Sequence, residues 1–173
     1  MAEEKKIHTV GSKREEPVVR VRDVMDKVFL SVTPDMTVRE VFHLFIKRRL
    51  MAVPVVDNGD HLLGLISSAD LMYRSSKPHI PRSLPFSGKI MTSRVGRYAK
   101  EFRKLLDQPC KKLMTEDVMI TTPDADVEQV AAVMILEHLK VLPVIDNKRV
   151  VGMIHRGSIL KLMYDEHLRK SEE

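Results

Sequence analysis

The sequence predicts an α+β protein: two pseudo-symmetric copies of a β-α-β-β-α unit, packed sheet to sheet and joined by a helical linker. Three observations carry this. The chain repeats itself, with Pro34 and Pro123 standing 89 positions apart and the flanking residues running in parallel. Each copy alternates one amphipathic helical pattern with two short apolar runs separated by a turn. A single copy of about 55 residues is marginal for standing alone, so packing two together is the natural solution.

Taken in order, "DVMDKVFLSVTPDMTVREV" aligns with "KLMTEDVMITTPDADVEQV", matching Met25 to Met114, Thr33 to Thr122 and Val38 to Val127. A helical turn around Met25 or Met114 leads into an extended stretch, "FLSV" or "VMIT". A helix follows. Val38, Val41, Phe42 and Phe45 fall at i, i+3, i+4 and i+7, and Val127, Val130, Ala131 and Met134 repeat that face. Thr37 with Glu40, and Asp126 with Gln129, have the spacing of capping boxes.

Next come "AVPVVD" and "VLPVID", almost wholly apolar, as strands covered on both faces are. "DNGD" reads as a turn, with Asn58-Gly59 a hairpin signal. Here the offset drops from 89 to 88, so that Gly64 meets Gly152; a turn tolerates such a deletion best. "LLGLIS" and "VVGMIH" are the return strands, and "SADLMYR" and "GSILKLMYDEHL" the closing helices.

Between the copies, "SSKPHIPRSLPFSG" carries three prolines and reads as a linker. Tyr98, Phe102, Leu105 and Leu106 then mark an amphipathic helix. The expected division is a flexible tail at 1–20, repeat one at 21–74, the linker with its helix at 75–109, repeat two at 110–168 and a short tail at 169–173.

Composition narrows the classes of function. No apolar run reaches the length of a membrane span, and the charged start lacks a signal-peptide core. The expectation is a cytoplasmic protein without membrane contact. Cys110 is the only cysteine, which excludes a disulfide framework or cysteine-based zinc site within one chain. The seven histidines form no H-x-x-x-H pair, "DNGD" lacks the rest of a calcium loop, and no Walker loop or G-x-S-x-G elbow occurs. Neither a metal nor an enzymatic activity is expected. The eleven methionines suit core filling or an adaptable dimer seam. A net charge of +5 suits a phosphorylated small molecule, or a nucleic-acid surface. With few aromatics and no Trp, there is no base-stacking platform.

The paired series "VMDKVFLSVTPDMTVREV…LMAVPVVDNGDHLLGLISSADL" and its second copy resemble cystathionine-β-synthase (CBS) domains, from about Val21 to Leu168 except the linker. The connector "LPFSGKIMTSRVGRYAKEFRKLLD" is similar to that of stand-alone bacterial and archaeal CBS-pair proteins. The resemblance implies a disc of two repeats, dimerised into a larger one, whose clefts hold AMP, ADP, ATP or S-adenosylmethionine. It implies a sensor that regulates an unknown protein partner.

The ligand motif of that family is glycine, two apolar residues, Thr or Ser, two variable residues and Asp. Gly64-Leu65-Ile66-Ser67-Ser68-Ala69-Asp70 matches it throughout. The resemblance makes Asp70 the acceptor of both ribose hydroxyls, Ser67 a phosphate contact, and Thr33 with Leu50, Met51, Ala52 and Val53 the adenine lining; Ile66 and Ala69 belong to the motif. Yet Ser67-x-x-Asp70 is equally a helix-capping spacing, and the bare residues favour the cap. The second copy, Gly152-Met153-Ile154-His155-Arg156-Gly157-Ser158, loses the acid, predicting one competent nucleoside site and one altered one. His155, Arg156 and Lys140 stand as phosphate ligands or as solvated charges, and both readings stay open. The alternative function is a basic interaction protein that docks on nucleic acid or an acidic partner without small-molecule control; a structural pair with filled clefts is the third.

Overall fold

A computed structural model describes residues 18–76 and 100–172; the N-terminal tail through Pro17 and the linker at 77–99, Tyr98 included, lie outside the described residues. Helix α1 (Val21–Val24) is followed by α2 (Val38–Arg48), strands β1 (Ala52–Val56) and β2 (Leu62–Ser67), and α3 (Ser68–Ser76). A helical segment at 100–106 and a 3-10 turn at Cys110–Lys112 lead to α4 (Val127–Leu136), β3 (Val141–Asp146), β4 (Arg149–His155) and α5 (Arg156–Glu172). The fold is the expected α+β pair with two small antiparallel sheets, β1-β2 and β3-β4.

Helix α2 starts where Thr37 and Glu40 form the expected box: the Thr37 N–H donates to the Glu40 carboxylate (2.8 Å) and the Glu40 N–H to the Thr37 hydroxyl (3.3 Å). The Thr37 bonds hold the Glu40 carboxyl below its ordinary range. At α4 the box does not close. Asp126 accepts from the Glu128 N–H at 2.8 Å, one residue earlier than Gln129. A left-handed residue follows both helices at equivalent positions, Arg49 (φ 52°) directly after α2 and His138 (φ 54°) one residue past the Glu137 cap of α4.

The hairpins solve their turns differently. In the second, Asn147 and Lys148 both have positive φ (46° and 67°), as a two-residue primed turn requires. In the first, the extra residue puts the positive φ on Asp60 (63°), not Gly59, and Asp57 Oδ1 accepts from the N–H groups of Gly59 (2.8 Å) and His61 (2.9 Å).

The opening stretch of each repeat is shorter than a strand. Val32 makes one parallel rung with β1, its N–H donating to Pro54 O (3.0 Å) and its carbonyl accepting from Val56 (2.9 Å); Thr121 does the same with Pro143 and Ile145. The preceding rung of a parallel ladder, at Leu30 or Met119, would need an N–H from Pro54 or Pro143, which proline lacks.

Three apolar clusters hold the molecule. One lies under α2 and β1, with Val38, Val41, Phe45, Val53 and Ile66; Leu105 and Leu106 pack on it, and Phe102 meets Phe42 edge to face at 5.7 Å. The second is its counterpart under α4 and β3, with Val130, Met134, Leu142 and Ile154. The third, with Ala52, Val56, Val141, Val150 and Met153, is the seam between the sheets.

The leaders, the opening segments of the two repeats at 21–30 and 110–119, cross over. Val21, completely buried, belongs to the core of repeat two, while Cys110 and Leu113 belong to that of repeat one. Leu65 of β2 exchanges two backbone bonds with Thr115 (both 2.9 Å), and Met153 of β4 exchanges two with Asp26 (2.8 and 3.1 Å). Each sheet thus ends on a rung from the opening segment of the other repeat.

Candidate functional site

Because each leader runs across the other repeat, the pair encloses two equivalent clefts. The first, with a cavity of 360 Å³, is bounded on one side by the end of β2 and the start of α3, with Ser67, Ala69 and Asp70. The leader residues Asp117, Val118 and Met119 form its second wall, and His138 to Leu142 its third. The second cleft, 630 Å³, uses the corresponding residues: Val28 to Leu30 of the other leader, Arg48 to Ala52 after α2, and Met153 with His155 of β4.

Asp70 stands third in α3. Its Oδ2 accepts from the Ser67 N–H (2.8 Å) and the Ser67 hydroxyl (2.6 Å), and the Asp70 N–H donates to Ser67 Oγ (3.2 Å). This is a closed capping box, so the capping reading of the sequence is realised. Both bonds to the carboxylate fall on one oxygen. Oδ1 accepts none among the described residues, and Asp70 lines the half-buried cleft. The cap and an acceptor for a diol are therefore compatible in one side chain, with the cap fixing its direction.

Of the residues singled out from sequence, Met51, Ala52, Ser67, Ala69, Asp70 and Lys140 line this cleft. The others lie elsewhere. Val53 and Ile66 are fully buried in the core of repeat one, their alternation along the strands turning them inward. Thr33 is on neither cavity wall; its carbonyl accepts from the Met36 N–H (3.2 Å) and the Cys110 thiol (3.2 Å). Leu50 and His155 line the second cleft, where His155 Nε2 is 3.6 Å from Asp26 Oδ2. Arg156 is spent behind α4: its Nε donates to Leu139 O (2.5 Å), and its Nη2 adds a bond (2.8 Å) to Met134 O, which already accepts from the Leu139 N–H (2.9 Å). The guanidinium is committed there rather than to a cleft.

Sequence reasoning missed the wall made by Asp117, Val118 and Met119, together with His138 and Leu139. One signal was present in Gly64. A Cβ there would sit 2.7 Å from Thr115 O, so the glycine marks a crossing backbone. Among the described residues no three of His, Cys, Asp and Glu converge to hold a metal ion, and no helix is long and apolar enough to cross a membrane.

A paired-repeat α+β protein with a cleft on each side of the seam is the class this geometry defines. The family model for the CBS domain matches residues 21–77 and 110–165, and the chain belongs to that family. Among curated proteins it is 22% identical to an uncharacterized protein of Methanocaldococcus jannaschii, over 84% of this chain and 92% of that relative. It spans only 26%, 48% and 40% of three others from that organism. Among solved structures it resembles the CBS domain pair of protein MJ0100 in complex with 5′-methylthioadenosine and S-adenosyl-L-methionine. The TM-score is 0.62 at 22% identity, covering 87% of this chain and 99% of that one. CBSX2 in complex with AMP is similar at TM-score 0.65 and 19% identity, covering 86% and 98%. At such identities the likeness establishes the fold.

Proposed function

We propose that the first cleft binds an adenosyl ligand, AMP, ADP, ATP or S-adenosylmethionine, and that the protein is a non-catalytic regulatory sensor. The observation that carries the reading is the Asp70 carboxylate, held by its cap with one oxygen unused at the cleft wall. A carboxylate accepts from vicinal hydroxyls through charge-assisted bonds, the stronger kind. Lys140 on the facing wall supplies a cation for phosphate, and Val118, Met119 and Leu139 supply an apolar slot for a base. Structural neighbours with adenosyl ligands bound support this chemistry. We assign no role in the cleft to Thr33, Val53, Ile66 or Arg156.

The partner readings follow from the outer face. Ile135, Leu136, Leu160, Met163 and Tyr164 are exposed on α4 and α5, an apolar area that a second copy would cover in a homodimer. The regulated partner would be a separate protein in the cytoplasm.

The test is calorimetric titration with AMP and S-adenosylmethionine. Asp70→Ala should weaken the bound ligand at least tenfold, since a bond to a charged group is worth about 1.5–3 kcal/mol. Thr37→Ala removes an equivalent cap away from both clefts and should leave affinity unchanged. No binding by the wild-type chain, or equal binding by Asp70→Ala, overturns the proposal.

A further inference from the structure

The net positive charge is not spread evenly over the molecule. Residues 38–49 and 100–112 hold nine of the 29 Lys and Arg against three acids, Glu40, Glu101 and Asp107; the rest of the chain holds 20 against 21. The whole excess belongs to α2, the helical segment at 100–106 and the turn after it. Folding sets these side by side. Arg39, near the start of α2, pairs with Asp107, just past the end of the segment (2.7 Å), and Phe42 meets Phe102. The two helices therefore lie antiparallel.

Their inner faces are apolar: Val38, Val41 and Phe45 are buried, and Leu105 and Leu106 pack on the same core. That fixes what points outward. His43 and Lys47 on α2, with Lys100, Arg103 and Lys104 on the segment, fall away from those residues at helical spacing, and all five are exposed. None has an ion-pair or hydrogen-bond partner among the described residues. Of the nearby acids, Glu40 bonds back to Thr37 and Asp107 is held by Arg39. The sequence at 77–99 contains five Lys or Arg and no acid, so it brings no counter-charge.

The matching helix of repeat two is different. Where α2 has Phe42, His43 and Lys47, α4 has Ala131, Ala132 and Leu136, and Leu136 belongs to the exposed apolar area of α4 and α5. The repeats thus show two unlike outer faces, one apolar and one cationic. The cationic face also selects its partner. A protein partner is gripped by aromatic or apolar anchors, but Phe42 and Phe102 are turned on each other, and Ile46 is the one exposed large apolar side chain on the two helices. A single strand needs aromatic platforms for its bases, which the same ring pair withholds. Rows of phosphate on a duplex need only cations.

We propose that the outer face of α2 and the 100–106 segment docks double-stranded nucleic acid through its phosphates, by Lys47, Lys100, Arg103 and Lys104, without reading base sequence. This surface is separate from both clefts and independent of the adenosyl reading.

The experiment is fluorescence anisotropy of the full chain with a labelled 20-base-pair DNA duplex in 50 to 200 mM salt. Four phosphate contacts predict that affinity falls about a hundredfold across that range. Lys47→Gln/Lys100→Gln/Arg103→Gln/Lys104→Gln should weaken binding at least tenfold at 50 mM and flatten the salt dependence. Lys27→Gln/Lys148→Gln/Arg149→Gln/Lys161→Gln removes the same charge elsewhere and should keep both. Should the first variant fail to fold, Lys100→Gln/Arg103→Gln/Lys104→Gln should still flatten most of the salt dependence. A second duplex of unrelated sequence should bind alike. No binding at 50 mM, equal losses in the two quadruple variants, or tighter binding of a single strand overturns the proposal. So does polyglutamate that displaces the label better than unlabelled duplex at equal charge, which would assign the face to an acidic protein.

Discussion

Replacing Gly64 by alanine tests the crossing of the leaders, and the molecule carries its own control in Gly152. A Cβ on Gly64 would lie 2.7 Å from Thr115 O and 3.0 Å from the Met114 Cγ and Sδ atoms. A backbone oxygen in a paired rung cannot swing aside like a side chain. The leader must therefore move by several tenths of an ångström, and the two 2.9 Å bonds between Leu65 and Thr115 stretch beyond useful length. Two backbone bonds are worth about 1 kcal/mol each. Alanine returns roughly 0.4–1 kcal/mol by restricting the unfolded chain. The net expectation is a loss of about 1–2 kcal/mol, or about 2–8 °C in Tm.

At Gly152 the nearest atom is Met25 Sδ (2.8 Å), the far end of a flexible side chain, and the backbone oxygen of Asp26 is at 3.1 Å. That substitution should cost less than about 1 kcal/mol. Urea denaturation of the two variants measures the difference. An equal loss, or a greater loss at Gly152, would refute the closer approach of the leader backbone at Gly64 as the cause.

Arg156→Ala should lower stability by about 1 kcal/mol, mainly through the Leu139 carbonyl that loses its donor, since Met134 O keeps the Leu139 N–H, and Arg156→Lys should not restore it, because an ammonium cannot fork. Urea midpoints read this; an unchanged midpoint with altered nucleotide affinity would return Arg156 to the ligand. The Cys110 thiol, fully buried, is pushed up to about 11 by burial. The folded chain keeps that proton to higher pH than the unfolded one, so its contribution is intact below about 9 and lost as pH rises through 11. Denaturation at pH 8 and 10.5, compared with Cys110→Ser, should show wild type losing more stability at the higher pH; parallel losses would contradict it.

Much of this was legible because it is local. The faces of α2 and α4, the Thr37 box, the hairpins and the Ser67–Asp70 box each depend on residues a few positions apart. The proline limit on the opening strands shows only once Val32 and Thr121 are placed beside β1 and β3, because only that pairing sets Pro54 and Pro143 where the preceding rung needs a donor. The crossing was not legible, for a reason specific to repeats. Val21 and Leu113 are apolar residues seeking a core, and the two cores are copies of one another. A leader that fits its own repeat fits the other equally, so local sequence cannot choose between them. The cleft walls depend on that choice, which is why Asp70 and Lys140 were found while Asp117, Val118 and Met119 were not.

The crossing also decides what a bound molecule can do. Had each leader stayed with its own repeat, a ligand on Asp70 would have touched β2, α3 and little beyond. Instead the wall opposite Asp70 is built from residues 117–119 and 138–142, all belonging to the second repeat in sequence. The leader that carries that wall is anchored on Leu65, three residues from the start of α3. A molecule lodged there spans both repeats, so its affinity depends on their relative placement. By linkage its binding must bias that placement in return. The second cleft faces the same constraint through Asp26 and Met153, whose rung joins the other leader to β4. Residues of the seam between the sheets line both clefts, Ala52 and Val141 in the first and Ala52 and Met153 in the second, so a molecule bound in either cleft would bear on the contact that joins the two repeats.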